Sequence, residues 1–404
     1  MRRNLAVAGA AAAAGVSAVY SLWLWVSNYA ADNFHNDFTF YYAAARLGLA
    51  HGWSHLYDLR LQQEQLDAIG SHITVAQLAR YVSPPPLAWL VTPLALLPYQ
   101  VAYWLWSALL VGALVLAWHL TAPGKSRARV IFLVAAIGWL PIVYGLQLGQ
   151  PALFVAGGVA ACYALLQRGR DVEAGAVLGV LVLKPQLALL VPAVLLVSGR
   201  WRAFASAVVV LAALTAASLV VLGPSGVTDY LDRLNFATTI PENQGQTIAG
   251  WIHNLQVARV VQGLIAAWTV GVAYRLRRRG PAVVLAVALI GGLAASPYVH
   301  YDDLAMLGLA CLLFLRAARG RWVIAYAIAL FIAAEGFPVW QAGPVLAGEL
   351  LALLLLSVPA LEHHHGYTEQ DEAERQHDPG FERDRQHLAV DGEPQPIDGR
   401  ARET

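Results

Sequence analysis

The chain has 404 residues, of which 58% are hydrophobic and only 13% charged, with a formal net charge of +1 and a mean hydropathy of +0.53. A soluble globule carries roughly 25% charged residues, so this composition excludes one and describes an all-α polytopic membrane protein. The near-zero charge also excludes the concentrated basic face that a nucleic-acid partner requires, and the two cysteines, Cys162 and Cys311, sit inside apolar runs where they offer neither a disulfide framework nor a zinc cluster.

A bilayer core takes roughly 20 apolar residues per helix. The first such run is Leu5 to Val26, preceded by Arg2 and Arg3. It ends in Trp23, Leu24 and Trp25 where a leader would carry a small-residue cleavage site, and therefore reads as a retained anchor with a cytoplasmic N-terminus. Residues 28–83 form the first extracytoplasmic loop. Within it, 37–49 and 59–69 read as amphipathic helices lying on the membrane surface. Pro84, Pro85, Pro86, Pro93 and Pro98 then break a short segment ahead of a clean span from Val101 to Leu120.

Beyond that span the apolar runs pair into hairpins: 130–146 with 152–167, 203–222 with 255–274, 281–296 with 304–316, and 321–335 with 344–361. The basic clusters between them are Lys125/Arg127/Arg129, Arg168/Arg170, Arg200/Arg202, Arg275/Arg277/Arg278/Arg279 and Arg316/Arg319/Arg321. The positive-inside rule places all of them in the cytoplasm. For Arg170 and Arg200 to share a side, the stretch between them must be a hairpin of two half-length helices, Ala174–Leu183 and Gln186–Val197, with Lys184-Pro185 at its tip. Half-length helices are tolerated only where protein or a water-filled cavity surrounds them. The expected total is about 11–13 transmembrane helices, some short or re-entrant. Residues 1–361 form this transmembrane domain. Residues 362–404 carry 12 acidic and 5 basic side chains and read as a disordered cytoplasmic tail, with His363-His364-His365 as a solvated linker.

With that orientation the unusual polar residues gather outside the cytoplasm, and polar groups at membrane depth are functional candidates. They are Asn36-Asp37 with Tyr41, Gln150 in YGLQLGQP, Lys184, the segment NQGQTIAGWIHN with Trp251, His253 and Asn254, and SPYVHYDD with Tyr298, His300, Asp302 and Asp303. Asp37, at the start of a helix, also fits a plain N-cap.

Five stretches, in this order and spacing, resemble the polyprenyl-phosphate-mannose-dependent α-mannosyltransferases of the C-type (GT-C) glycosyltransferase superfamily. They are NDFTFYYAAARL (36–47), YVSPPPLAWLVTPLALLP (81–98), GLQLGQPALFVAGGVA (145–160), RGRDVEAGAVLGVLVLKPQLALLVPAVLLVSGRWRA (168–203) and SPYVHYDDLAML (296–307). The resemblance covers roughly residues 30–335 and does not extend to the tail. It implies transfer of a hexose, mannose first, from a polyprenyl-phosphate sugar to a lipid or glycan acceptor at the extracytoplasmic face of the cell (inner) membrane. It further implies inversion, from a β donor to an α product, and an acidic residue in the first loop, which Asp37 matches.

A carboxylate within hydrogen-bond reach of the acceptor hydroxyl acts as general base, the role expected of Asp37. The departing phosphate needs cationic donors in a site of low dielectric, for which Lys184 and His300 stand as candidates outside the basic loops. Trp251, His253 and Asn254 would hold the sugar, with Tyr41, Gln150 and Tyr298 as further contacts. Asp302 or Asp303 would serve as nucleophile if the reaction were retaining. No metal and no other cofactor is expected. The competing readings are a lipid or sugar transporter or flippase, which would tend to show internal repeats that are not seen here, and a transferase using another lipid-linked sugar.

Overall fold

The computed structural model describes residues 2–75, 80–238, 240, 247–252, 254–317, 332, 334 and 343–357. The run 321–335 in large part, His253, and the whole tail with His363-His364-His365 lie outside the described residues. The chain divides into a unit Met1–Leu355 and a second, Leu356–Thr404, of which only Leu356 and Ser357 are described. No strand occurs among the described residues.

The first unit starts with the long α1 (Arg2–Ala31), followed in the first loop by α2 (Phe38–His51) and α3 (Leu59–Ala68). The proline run starts α4 (Pro85–Val91), because a first helical turn has no use for the missing N–H, and α5 (Tyr99–Thr121) follows Pro98. Next come α6 (Ser126–Gly138) and α7 (Leu140–Leu148), bent by 57° at Trp139, and then α8 (Ala152–Gln167). The chain continues through α9 (Asp171–Ala176), α10 (Leu190–Val197), α11 (Trp201–Thr238) and the short α12 (Ile248–Trp251). It then runs through α13 (Leu255–Leu276), α14 (Pro281–Ala294), α15 (Ala305–Ala317) and α16 (Gly343–Ser357). Helices α1, α5, α11 and α13 are long and apolar enough to cross a membrane, and α6 with α7 passes the same test as a bent pair. Helices α8, α14, α16 and the stretch Pro185–Val197 are shorter apolar pieces. The all-α polytopic architecture is thus built from a few full-length spans and many short or broken ones.

Between Arg170 and Arg200 the chain makes a hairpin. Helix α9 tightens into 3-10 turns over Val177–Leu183, breaks at Lys184 (φ −154°, ψ 75°), and resumes from Pro185 into α10. Arg200 Nη1 donates to Asp171 Oδ1 at 3.1 Å, so the two ends of the segment meet while Lys184 stands at the turn. Both arms pack on α11. Other basic residues gather where helices end: Arg316 Nη1 donates to the Ala122 carbonyl at 3.3 Å beside the Tyr163 ring, and Arg129 Nη2 to the His119 carbonyl at 2.6 Å.

The first loop is a packed structure. Tyr57 stacks on Tyr81 and on Tyr230 of α11, with ring centroids 5.8 and 4.6 Å apart. Gln62 accepts from the Tyr81 backbone N–H and donates to the Leu56 carbonyl, both at 3.0 Å, bracing the two sides of the loop. Helix α3 has the expected split, burying Leu61, Gln62, Gln65 and Leu66. Helix α2 is buried deeper than a helix resting on a surface would be, with Phe38, Tyr41, Tyr42 and Leu47 all inside, because α4 and the turn after it cover its outer side.

Two glycines aim the chain at the region described next. Gly223 (φ 64°, ψ 178°) breaks α11 and redirects the half that carries Tyr230. Gly149 (φ 72°) ends α7 in the left-handed region, and a Cβ there would lie 2.8 Å from Phe38 Cβ. Gly149→Ala should therefore lower the melting temperature of the detergent-solubilised protein, the left-handed backbone alone costing about 1–2 kcal/mol. Gly112→Ala in α5, where a Cβ meets nothing within 4 Å, should leave stability unchanged or raise it. Equal melting temperatures for the two variants would contradict the packing assigned to Gly149.

Candidate functional site

Asp37 occupies the N-cap position of α2, yet its side chain makes no capping hydrogen bond. The neighbouring Asn36 does that work: its Oδ1 accepts from Thr39 N at 3.1 Å, while its Nδ2 donates to the Asn33 carbonyl at 2.8 Å and the Tyr99 hydroxyl at 3.0 Å. The Asp37 backbone N–H donates to the Leu148 carbonyl at 2.9 Å, tying the start of α2 to the end of α7. Its carboxylate is left to face inward, where Oδ2 accepts from Gln150 Nε2. Gln150 Oε1 in turn accepts from Lys184 Nζ at 3.0 Å. Lys184 Nζ also meets Asp302 Oδ2 at 2.8 Å and Asp303 Oδ1. Asp303 Oδ2 accepts the His300 backbone N–H at 2.8 Å, and His300 Nδ1 lies 3.2 Å from the Tyr298 hydroxyl. One polar chain therefore links α2, the α7–α8 joint, the turn of the hairpin and the segment between α14 and α15.

The charges explain why the chain holds. The side chains of Asp302 and Asp303 are wholly buried and that of Lys184 nearly so. Two buried carboxylates would be prohibitively costly without a cation between them. Asp37, in the first loop, is pushed up to about 6, chiefly by burial and then by the Asp302 charge. Lys184, the Gln150 hydrogen bond and His35 oppose that rise.

Asp37, Tyr41, Gln150, Lys184, Tyr298 and His300 line one cavity of about 600 Å³, within the range of small-molecule sites. Its lining also includes Arg80, part of the second half of α11 (Tyr230, Leu234, Phe236, Ala237) and one face of α13 (Leu255, Arg259, Gln262). It is a polar floor under a largely apolar wall that carries two guanidinium groups. The family model of glycosyltransferase family 87 matches residues 81–297. The chain belongs to that family. No curated protein and no solved structure matches it. Glycosyltransferase family 87 is a family of GT-C-like membrane glycosyltransferases, so the chain is a membrane glycosyltransferase. Within the matched residues fall Gln150, Lys184 and Arg259; Asp37 precedes them and His300, Asp302 and Asp303 follow.

In this glycosyltransferase Asp302 and Asp303 stand behind Lys184 and are not among the residues lining the cavity. Trp251 and Asn254 do not join it either. Trp251 is exposed and lies against Gly343, at the start of α16. Asn254 Oδ1 caps α13, accepting from Gln256 N at 3.0 Å and Val257 N at 3.1 Å, the use for which asparagine is favoured at a helix start. Ala249 and Leu255 reach the cavity from the same stretch, and His253 lies outside the described residues. The expectation that Lys184 and His300 are the cations at this face is incomplete, because Lys184 is already committed to two carboxylates and Arg80 and Arg259 also line the space. Arg80 lies 4.1 Å over the Phe236 ring. A lone arginine in an apolar helix, away from the basic loops, is the sequence signal that marks Arg259; nothing comparable singles out Arg80, which lies in the loop four residues before Pro84.

Lys184→Met should destabilise the protein by about 3–5 kcal/mol, since it leaves two buried carboxylates uncompensated. Adding Asp302→Asn should restore part of the lost melting temperature. Simple addition of the two single-variant losses would contradict the shared ion pair.

Proposed function

We propose that this membrane glycosyltransferase moves a hexose, mannose by its resemblance, from a polyprenyl-phosphate sugar to a hydroxyl of a lipid or glycan acceptor, with inversion and with Asp37 as general base. The observation that carries this reading is the state of the Asp37 carboxylate. Its Oδ2 is held by Gln150, whereas Oδ1 takes no hydrogen bond among the described residues, and the side chain faces the cavity. Oδ1 is then the atom that accepts the proton of the acceptor hydroxyl as its oxygen attacks the anomeric carbon. The bond from that carbon to the phosphate oxygen breaks on the opposite face, and the phosphate departs with the electron pair. Arg80, Arg259 and His300 are the groups lining the cavity that would stabilise it. The two guanidinium charges suit a phosphate leaving group, with His300 as a polar partner, so the reading asks for no metal ion.

Asp302 and Asp303, engaged by Lys184 and set behind it, are poorly placed to attack the sugar. That supports one inverting displacement over a glycosyl-enzyme route. Leu234, Phe236 and Leu255 offer an apolar wall for the prenyl chain, and surrounding membrane lipids would flank the same face. The gathering of basic residues at helix ends away from Lys184 supports a cavity on the extracytoplasmic side of the inner membrane.

Asp37→Asn keeps the size of the side chain and removes the base. It should insert and purify as the wild type does, yet transfer label from radiolabelled polyprenyl-phosphate mannose on the order of 10²–10⁴-fold more slowly in membranes. Because the carboxylate form is required and Asp37 titrates at about 6, the wild-type rate should rise with pH through that region and fall below it. A folded Asp37→Asn protein with wild-type transfer would overturn the assignment.

A further inference from the structure

Gln150 is buried at the junction of α7 and α8 and is held there by backbone: its N–H donates to the Gly145 carbonyl at 2.8 Å, and the preceding Gly149 carbonyl accepts from Trp106 Nε1 at 2.8 Å. Its side-chain amide stands between two ionisable groups, Lys184 and Asp37. An amide has one accepting and one donating end, and an ammonium group can only donate. Lys184 Nζ, 3.0 Å away, therefore captures Oε1 and leaves Nε2 turned to Asp37. A donor aimed at Asp37 Oδ2 favours the carboxylate over the acid. Without the lysine the amide could turn over and offer Oε1 to Asp37, which a protonated carboxyl would satisfy and a carboxylate would not.

We infer that Gln150 is a positioning residue whose amide, polarised in one sense by Lys184, keeps Asp37 ionised and presents its Oδ1 to the acceptor hydroxyl. This rests on the reading of Asp37 as the base. Lys184 thereby acts on the cavity through Gln150 rather than as a direct ligand of the phosphate. The ionisable groups that act on Asp37 from the packed elements are Lys184, Asp302, His35, Tyr41, Tyr144 and Tyr298, and Arg80, Arg259 and His300 line the same cavity. Among the hydrogen bonds to its carboxylate, the Gln150 amide is the one donor in the described residues.

The test reads protonation of Asp37 directly. The full-length protein in detergent is treated with dicyclohexylcarbodiimide, which labels protonated buried carboxyls, across pH 4–8 (roughly two units either side of the expected midpoint). Label on the peptide containing Asp37 is measured by mass spectrometry, with Asp37→Asn as the blank. The wild type should label with a midpoint at about 6. Gln150→Met, which fills similar space without a donor, should move the midpoint up by about one pH unit. Gln150→Glu, which can still meet Lys184 but adds a charge beside Asp37, should move it up as well, and the acid limb of the transfer rate should follow in both. A monodisperse Gln150→Met or Gln150→Glu protein whose midpoint stays at the wild-type value would overturn the inference. If only one variant folds, that one decides it. A shifted midpoint in a protein that performs no sugar transfer would support the role of Gln150 while defeating the transferase mechanism; an unshifted midpoint with transfer still dependent on Asp37 would do the reverse.

Discussion

The ammonium group of Lys184, shared between Asp302, Asp303 and the amide of Gln150, is the interaction around which the cavity is built. A lysine at a helix break inside an apolar body has no water to rely on, and neither do two adjacent buried carboxylates. Each is tolerable only in the presence of the other. The requirement fixes the turn of the hairpin against the segment between α14 and α15 and, through Gln150, against the start of α2. Segments separated by more than a hundred residues in the chain are thereby held within hydrogen-bond distance.

This arrangement divides the work among charges that look alike in a sequence. Lys184 is neutralised from behind and organises the floor, whereas Arg80 and Arg259 stand in the lining with apolar neighbours. Asp302 and Asp303 serve as counter-ions, and Asp37 alone among the three carboxylates faces the open space. A substrate carrying a phosphate, a sugar and a long apolar chain matches that division, and the family to which the chain belongs acts on sugars.

Much of the architecture was legible because bilayer physics writes it into composition. Apolar runs located α5, α8, α13 and α14 to within a few residues, and α11 as far as its break at Gly223 but not the half beyond it. The hairpin around Lys184 followed from charge placement alone, since Arg170 and Arg200 had to share a side, and the Asp171–Arg200 pair now closes its base. The burial of α2 was not legible, because it depends on what α4 covers. Nor was the division of labour between Asn36 and Asp37, two residues of similar capping strength, which is decided by Tyr99 and Thr39 engaging the asparagine. Trp251 and Asn254 looked like sugar contacts by residue type, but one packs at a helix start and the other caps a helix. Arg80 reaches the cavity only through tertiary packing, which no local pattern announces.

The most direct test is a cryo-electron microscopy structure of the full-length protein with a non-hydrolysable polyprenyl-phosphonate sugar bound. The phosphonate should lie against Arg80 and Arg259, the prenyl chain along Leu234 and Phe236, the anomeric carbon turned toward Asp37, and Lys184 should still bridge Asp302 and Asp303. A phosphonate bound to Lys184 with those two carboxylates displaced, or a lipid seated outside the cavity, would contradict that arrangement.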